Sequence, residues 1–193
     1  FKPSRKGEPE NDAYLTKAIE FYTKASEKEQ DPTLRKRSFE FLVAAYGPDK
    51  MNDPSQQEPI VNRMIQLDPQ DPDNYFALAK IREDAGDYPK AEEVLLQAKQ
   101  ARPNDPQVYL QLAGFYNRQE EFEKTIEALT QRAAIEPNNP EAYYTISTYY
   151  WDKAYRDFRL KEPEKKEFVL KGIEQVDKAL ALTADYTEAL TYK

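Results

Sequence analysis

A period of 34 residues limits the folds open to this chain more than any other feature of the sequence. Residues 72–105 and 106–139 align without a gap. Both segments carry large apolar residues at the fourth, seventh and twenty-fourth places, a small residue at the eighth and proline at the thirty-second. The matching pairs are Tyr75 and Tyr109, Leu78 and Leu112, Leu95 and Leu129, Ala79 and Ala113, and Pro103 and Pro137. Self-similarity at such a period predicts a helical solenoid.

Each period contains two helical patterns separated by a turn. Spacings of three and four residues place Tyr75, Leu78 and Ala79 on one face of a first helix. The same spacing places Ala91, Leu95 and Ala98 on one face of a second helix. Gly86 lies between them, where a helix must end and reverse, and each period opens with an Asp-Pro or Asn-Pro pair that suits a helix start. One such hairpin cannot cover its own apolar stripe, so neighbouring hairpins must stack.

These residues resemble the tetratricopeptide repeat (TPR) family, which prefers aromatic, Leu, small, Tyr, Ala, large apolar, Ala and Pro at set places. The first segment matches at Tyr75, Leu78, Ala79, Ala91, Leu95, Ala98 and Pro103 and departs at Arg82. The second matches at Tyr109, Leu112, Ala113, Tyr116, Leu129 and Pro137, with Thr125 and Arg132 where Ala is usual. The resemblance implies an all-α fold, a right-handed superhelix of antiparallel helix pairs whose concave groove holds peptides or partner proteins.

The composition argues against several classes of function. The chain has no histidine and no cysteine, which removes the usual general bases, the thiol nucleophile and most transition-metal ligands. We therefore expect no enzyme activity, no catalytic residues, no cofactor and no metal site. A net charge of −7 disfavours nucleic acid or an anionic membrane as a partner. No apolar run approaches the roughly 18 residues that a membrane span needs, so we expect a soluble protein without a span.

The pattern divides the chain into an arm and a series of repeats. Residues 1–12 are polar and lack an apolar period, which predicts a flexible N-terminal arm. The expected segments then follow in order: 13–30, the second helix of a truncated repeat; 32–71, an irregular repeat; 72–105 and 106–139, regular repeats; 140–186, a repeat with an elongated helical hairpin; and 187–193, the start of a further repeat or a capping helix. The start at Phe1 and the late restart of the pattern indicate a piece of a longer chain.

The repeat at 140–186 departs most from the period. Ala179 comes about 13 residues later than the repeat predicts, and the extra segment favours helix except at Glu162-Pro163. We therefore expect both helices to be extended, with Pro163 near the start of the second, and the hairpin to protrude. We expect its apolar residues to close it against itself: Tyr155, Phe158, Leu160, Phe168, Val169 and Ile173. Basic and acidic residues alternate over 156–171, which favours a solvated helical surface, with an acidic partner or lipid headgroup as the alternative.

The resemblance also implies which side chains face the groove, at the second, fifth, sixth, ninth, twelfth and thirteenth places of each repeat. In the first regular repeat these are Asp73, Phe76, Ala77, Lys80, Glu83 and Asp84. In the second they are Gln107, Leu110, Gln111, Gly114, Asn117 and Arg118, and in the third Glu141, Tyr144, Thr145, Thr148, Trp151 and Asp152. Among these positions, Phe76, Leu110, Tyr144 and Trp151 form an apolar and aromatic ladder with amide and charged neighbours, a composition that suits an extended or helical peptide. We select as partner-binding residues Phe76, Lys80, Leu110, Gln111, Asn117, Arg118, Tyr144, Thr148 and Trp151.

Several alternatives stay open at the level of sequence. The ladder could instead pack on an adjacent helix, and the long hairpin could bury Trp151. The favoured function is a non-catalytic scaffold for a protein or peptide. The two other candidate functions are a structural module that forms homo-oligomers through its repeat ends or long hairpin, and an accessory domain of a larger enzyme. The compartment is open between the cytoplasm and the bacterial periplasm or envelope.

Overall fold

The structure is a computed structural model that describes residues 9–192, with side chains described for residues 12–191. The described residues form ten α-helices and no strand, which confirms the predicted all-α class. The chain divides into two compact units between Ala101 and Arg102. The first unit contains α1 (Pro9–Lys28), α2 (Pro32–Tyr46), α3 (Pro54–Leu67), α4 (Pro72–Asp84) and α5 (Tyr88–Ala101). The second contains α6 (Pro106–Arg118), α7 (Phe122–Ile135), α8 (Pro140–Arg156), α9 (Glu162–Leu182) and α10 (Thr187–Tyr192). Within each unit every helix packs on the next one along the chain.

The Asx-Pro pairs start helices as the sequence predicts. The side chain of Asp71 accepts a hydrogen bond from the N–H of Asp73 at 3.1 Å, and Asp105 accepts one from Gln107 at 3.0 Å. Asp31 and Asn139 cap α2 and α8 in the same way. Proline takes the first helical position in all four helices, where its missing N–H leaves nothing unsatisfied.

A tyrosine hydrogen bond recurs with the period of the sequence. The hydroxyl of Tyr75 donates to the carbonyl of Pro69 at 3.0 Å, and that of Tyr109 donates to Pro103 at 2.7 Å. Tyr143 makes the same bond to Pro137 at 3.3 Å. Because each bond joins a first helix to the turn that precedes it, the fourth-place tyrosine fixes how its hairpin follows the turn.

The turns of the two regular hairpins use the same backbone conformation with different residues. Gly86, between α4 and α5, has a φ of +77°, the left-handed region that glycine adopts without steric cost. The residue one period later is Glu120, between α6 and α7, and its φ is +60°. A side chain in this region is strained, so the second hairpin retains the turn without the residue that favours it.

Two departures from the family pattern are buried in the second unit. Thr125 is fully buried and its hydroxyl donates to the carbonyl of Glu121 at 3.0 Å. Arg132 is also buried, and its Nε donates to Glu136 at 2.9 Å while a terminal nitrogen reaches Glu141 at 3.4 Å. A buried guanidinium needs such partners to offset its lost hydration.

The N-terminal boundary differs from the expected one. Helix α1 begins at Pro9, so residues 9–12, which we assigned to the arm, have helical backbone. Proline is well suited to the first turn of a helix, and this signal was overlooked in the polar stretch. The rest of the expected arm, residues 1–8, lies outside the described residues.

The hairpin of α8 and α9 is elongated as predicted, but its apolar residues do not all pack together. Helix α8 has 17 residues and α9 has 21, compared with 13 and 14 for α6 and α7. Tyr155 and Phe158 lie in solvent, which contradicts their predicted role in closing the hairpin. Helix α8 ends at Arg156, so Phe158 falls in the connecting turn, where no helix face directs it inward.

Phe168 behaves as expected of a residue that closes the hairpin. Its ring lies 6.3 Å from that of Tyr150 on α8 and 5.4 Å from that of Phe122 at the start of α7. Gly172 lets α9 approach α8 closely, since a Cβ there would lie 3.4 Å from the carbonyl oxygen of Ser147. The hairpin is therefore closed at its middle rather than at its tip.

Candidate binding surface

Seven of the nine selected residues lie on two helices of the second unit. Helix α6 carries Leu110, Gln111, Asn117 and Arg118, and helix α8 carries Tyr144, Thr148 and Trp151. The other two, Phe76 and Lys80, lie on α4 of the first unit. We call the α6 and α8 residues the second-unit surface.

Helix α6 contributes a polar edge with one apolar residue. Gln111, Asn117 and Arg118 are exposed and Leu110 is half-buried. Gly114 gives Arg118 room, since a Cβ at that glycine would lie 3.3 Å from a guanidinium nitrogen of Arg118. Exposed amides on a helix face can both donate to and accept from the backbone of an extended peptide.

Tyr144 is held in place by the end of the unit. Its ring makes an edge contact with Tyr186, with centroids 5.6 Å apart, and both rings pack against a core cluster of Val176, Ala179 and Ala189. Tyr144 is therefore partly used in packing on α9 and α10. At this position the structure favours the alternative interpretation, in which a ladder residue packs on an adjacent helix. The ring remains half-buried rather than buried.

Trp151 is not covered by the hairpin. It is 42% exposed, and its ring stacks on Tyr155 with centroids 4.9 Å apart and planes 15° apart. Tyr155 is one helical turn further along α8, in the part that a regular repeat lacks. The elongated helix thus adds a second ring to the end of the ladder, which the fixed 34-residue offsets could not predict.

Charged residues of both signs lie around this surface. Burial raises the pKa of the Tyr149 hydroxyl, while the nearby charge of Arg118 lowers it and that of Asp152 raises it. Tyr149 therefore lies close enough to Arg118 on α6 and to Asp152 on α8 for both charges to act on it. Glu141, also a groove position, is drawn to Arg132. Amides, hydroxyls and rings therefore define the surface more than net charge does.

Phe76 and Lys80 lie on α4 of the first unit. Phe76 is half-buried, and the ammonium of Lys80 pairs with Asp84 at 2.5 Å. This exposed pair on one helix contributes little to stability, and Lys80 stays accessible to solvent.

The first unit also contains a cleft that the sequence prediction missed. It has a volume of about 440 Å³ and lies between α2 and α4. Groove positions of both helices line it: Lys36, Glu40, Val43, Ala44, Asp73 and Ala77. The signal was available, because counting the same offsets from Pro32 selects Lys36, Glu40, Val43 and Ala44.

One lining residue of that cleft, Lys36, forms an ion pair with Asp71. The ammonium of Lys36 donates to Asp71 at 2.5 Å, and this hydrogen bond raises the pKa of Lys36. Since Asp71 also caps α4, the pair ties α2 to the start of the next first helix. The cleft is thus part of the packed repeat and not a gap between loose helices.

Stacked helix pairs with a 34-residue period, Asx-Pro starts and a polar-aromatic face on the first helices define a class of helical-repeat protein. Residues 52–114 match the family model described as Tetratricopeptide repeat. Residues 52–114 therefore have the sequence of tetratricopeptide repeats. Comparison with the curated proteins finds no match. None of the described helices combines the length and apolar character needed to cross a bilayer.

Solved structures of TPR proteins share the fold over most of the chain. A crystal structure of MamA aligns at 20% identity with a TM-score of 0.53, over 89% of this chain and 94% of that one. YrrB, described as a TPR protein with an unusual peptide-binding site, aligns at 17% identity and 0.53, over 94% and 84%. TTC0263, a thermophilic TPR protein of Thermus thermophilus, aligns at 18% and 0.52, over 93% and 89%.

Proposed function

We propose that the chain is a non-catalytic scaffold that binds a peptide or partner protein on the groove side of its first helices. The supporting observation is the second-unit surface: α6 and α8 present exposed amides beside an aromatic ladder that ends in the stacked pair of Trp151 and Tyr155. Exposed tryptophan and tyrosine that are held by stacking are the residue types that contribute most to protein interfaces.

The chemistry of this surface suits an extended peptide with apolar side chains. Gln111 and Asn117 can pair with peptide N–H and C=O groups, which fixes the register of the bound chain. The stacked rings offer a flat apolar area at low entropic cost, because each ring is already ordered by its neighbour. Peptide binding by YrrB, a protein of the same fold, is consistent with this proposal.

The test begins with peptides selected from a random-peptide display library against the whole chain. The affinity of the selected peptides is then measured by calorimetry for the chain and its variants. Trp151→Ala is expected to weaken binding by a factor of ten or more, as for a typical interface anchor. Because Trp151 is exposed, its removal should leave the fold intact, whereas Tyr144→Ala would also disturb the packing around Tyr186.

The matched control is Leu170→Ala, which removes an exposed apolar side chain of the same hairpin outside the groove positions. Its affinity should equal that of the unmodified chain. Failure to select any peptide, or equal affinities for the Trp151→Ala and Leu170→Ala variants, would remove the proposal.

A further inference from the structure

The tip of the α8–α9 hairpin, defined here as residues 155–161, presents two aromatic rings to solvent. Phe158 is 89% exposed and Tyr155 is 73% exposed. Scattered exposed apolar residues are normal, but neighbouring large ones at a protruding point mark a surface that contacts an apolar phase or partner. The groove positions of the repeat do not include Phe158.

The turn that carries Phe158 is organised by one carboxylate. Asp157 accepts hydrogen bonds from the backbone N–H of Arg159 at 3.1 Å and from its guanidinium at 2.8 and 3.0 Å. Its second oxygen also accepts from the ammonium of Lys153 at 3.0 Å. These four bonds fix the residues on both sides of Phe158, so the ring is held in water by an ordered turn and not by a loose one.

The tip lies at the end of the second unit that also carries the turn between α6 and α7, and Arg159 is close enough to Glu120 of that turn for the two charges to interact. Phe122, the first residue of α7, contacts Tyr150 and Phe168, with ring centroids 5.7 and 5.4 Å apart. Residues that follow Tyr150 on α8 and precede Phe168 on α9 therefore continue beyond the start of α7. Helix α8 has four more residues than α6, which corresponds to about 6 Å of extra length.

The tip is basic, although the chain as a whole is acidic. The tip contains Arg156, Arg159 and Lys161 and one acidic residue, Asp157, a local charge of +2, whereas the whole chain carries −7; Glu162 and Glu164 follow it at the start of α9. Each acid already has a partner within the hairpin: Asp157 as above, Glu162 with Lys165 at 3.7 Å, and Glu164 with the Lys161 N–H at 2.8 Å. Arg156, itself a residue of the tip, pairs with Asp152 on the preceding turn of α8 at 3.0 Å.

We propose that this tip docks on the surface of an anionic lipid bilayer, with Phe158 and Tyr155 in the interfacial region and the basic residues at the lipid phosphates. Tyr155, a ring with a polar edge, and the long basic side chains are residue types that prefer that region, and Phe158 adds apolar area. Anionic lipids attract clustered lysine and arginine within a short distance of the surface. A convex apolar point fits a fluid surface, whereas a rigid partner would need a matching pocket.

The experiment uses the whole chain with two kinds of vesicle, one of phosphatidylcholine alone and one of phosphatidylcholine mixed with phosphatidylglycerol. Co-sedimentation measures the partition coefficient. Trp151 is the sole tryptophan of the sequence and stacks on Tyr155, so its emission reports insertion of the tip. We expect the chain to co-sediment with the mixed vesicles, and its emission to shift to shorter wavelength.

Two matched variants locate the contact. Phe158→Ser should lower the partition coefficient roughly tenfold, because it removes the largest apolar side chain at the tip. Phe21→Ser changes a phenylalanine that is 71% exposed on α1 in the first unit, and it should have no effect. Both residues are exposed, so circular dichroism should show unchanged helix content.

The remaining outcomes overturn the proposal. They are no binding of the unmodified chain to mixed vesicles, equal binding of the Phe158→Ser variant, or an equal loss for both variants. In the first case, capture of the chain by an acidic protein that also requires Phe158 would assign the tip to a protein pocket instead.

Discussion

The α6–α7 hairpin and the α8–α9 hairpin follow the same repeat pattern in one unit, yet they differ in how many large apolar side chains they expose. Among the described residues, α6 and α7 have no large apolar side chain that is exposed, and Val108, Phe115 and Leu129 are almost fully buried. In the longer hairpin six such side chains are exposed: Trp151, Tyr155, Phe158, Val169, Leu170 and Leu182. The regular hairpin presents mainly polar side chains outside its packed core, whereas the elongated one also exposes large apolar side chains.

The turns of the two hairpins also differ in what holds their backbone in place. The α6–α7 turn keeps the left-handed conformation of the period at Glu120, and it is short. The described α8–α9 turn has no residue with positive φ, and hydrogen bonds to Asp157 hold it instead. An insertion into the period has therefore replaced a generic turn by one that positions particular side chains.

The largest expected effect is the difference in lost stability between two leucine truncations, one in each hairpin. Leu129→Ala empties a fully buried site and should lower the free energy of unfolding by about 3 kcal/mol or more. Leu170→Ala removes a side chain that is 55% exposed and should change it by less than about 0.5 kcal/mol. Urea denaturation followed by circular dichroism measures both. Similar losses would erase the contrast between the two hairpins.

A smaller effect is expected at the turn of the regular hairpin. Glu120→Gly removes the strain of a side chain at positive φ and should raise the free energy of unfolding by about 1 kcal/mol. The reverse change one period earlier, Gly86→Ala, should lower it by a similar amount, since a Cβ there meets no other atom and only the backbone is strained. Thermal unfolding should show a higher melting temperature for Glu120→Gly and a lower one for Gly86→Ala. A change in the same direction for both variants would refute the shared turn geometry.

The smallest effect should appear at the other turn, as a dependence on pH. Hydrogen bonds from Arg159 and then Lys153 lower the pKa of Asp157 well below its ordinary value. A lowered pKa in the folded state means that the carboxylate stabilises the turn above its ordinary pKa, near pH 4, and that this contribution is lost as the pH falls further.

An NMR titration of the Asp157 carboxyl and of the Arg159 amide, which donates to it, would follow this loss. Both signals should stay constant down to pH 4 and move only at lower pH. Titration of Asp157 at its ordinary pKa would show that the turn is not organised by this carboxylate.

The sequence predicted the regular parts of this molecule because their physics is local. The Asp-Pro and Asn-Pro pairs start helices through contacts within three residues, so Asp71, Asp105 and Asn139 could be assigned as caps without a structure. The apolar period likewise predicted which positions of the repeats are buried. Both signals repeat every 34 residues, and each repeat supports the interpretation of the others.

The parts that could not be predicted depend on residues outside the period. The stack of Trp151 on Tyr155 and the exposure of Phe158 arise in an insertion that has no counterpart in the other repeats. The burial of Arg132 depends on two glutamates at different distances along the chain, which the pattern of small residues does not reveal. The cleft lined by Lys36 and Glu40 is different, because the groove offsets counted from Pro32 select both residues and so could have predicted it.

The most direct test of the proposed binding surface is a footprint with single thiols, which the absence of cysteine from the sequence makes possible. Gln111→Cys places a thiol on the exposed groove side of α6, and Thr130→Cys places one on an exposed position of α7. With a library-selected peptide bound, alkylation should slow at position 111 and stay unchanged at position 130. Protection at position 130 alone, or equal rates at both positions with and without peptide, would contradict the account.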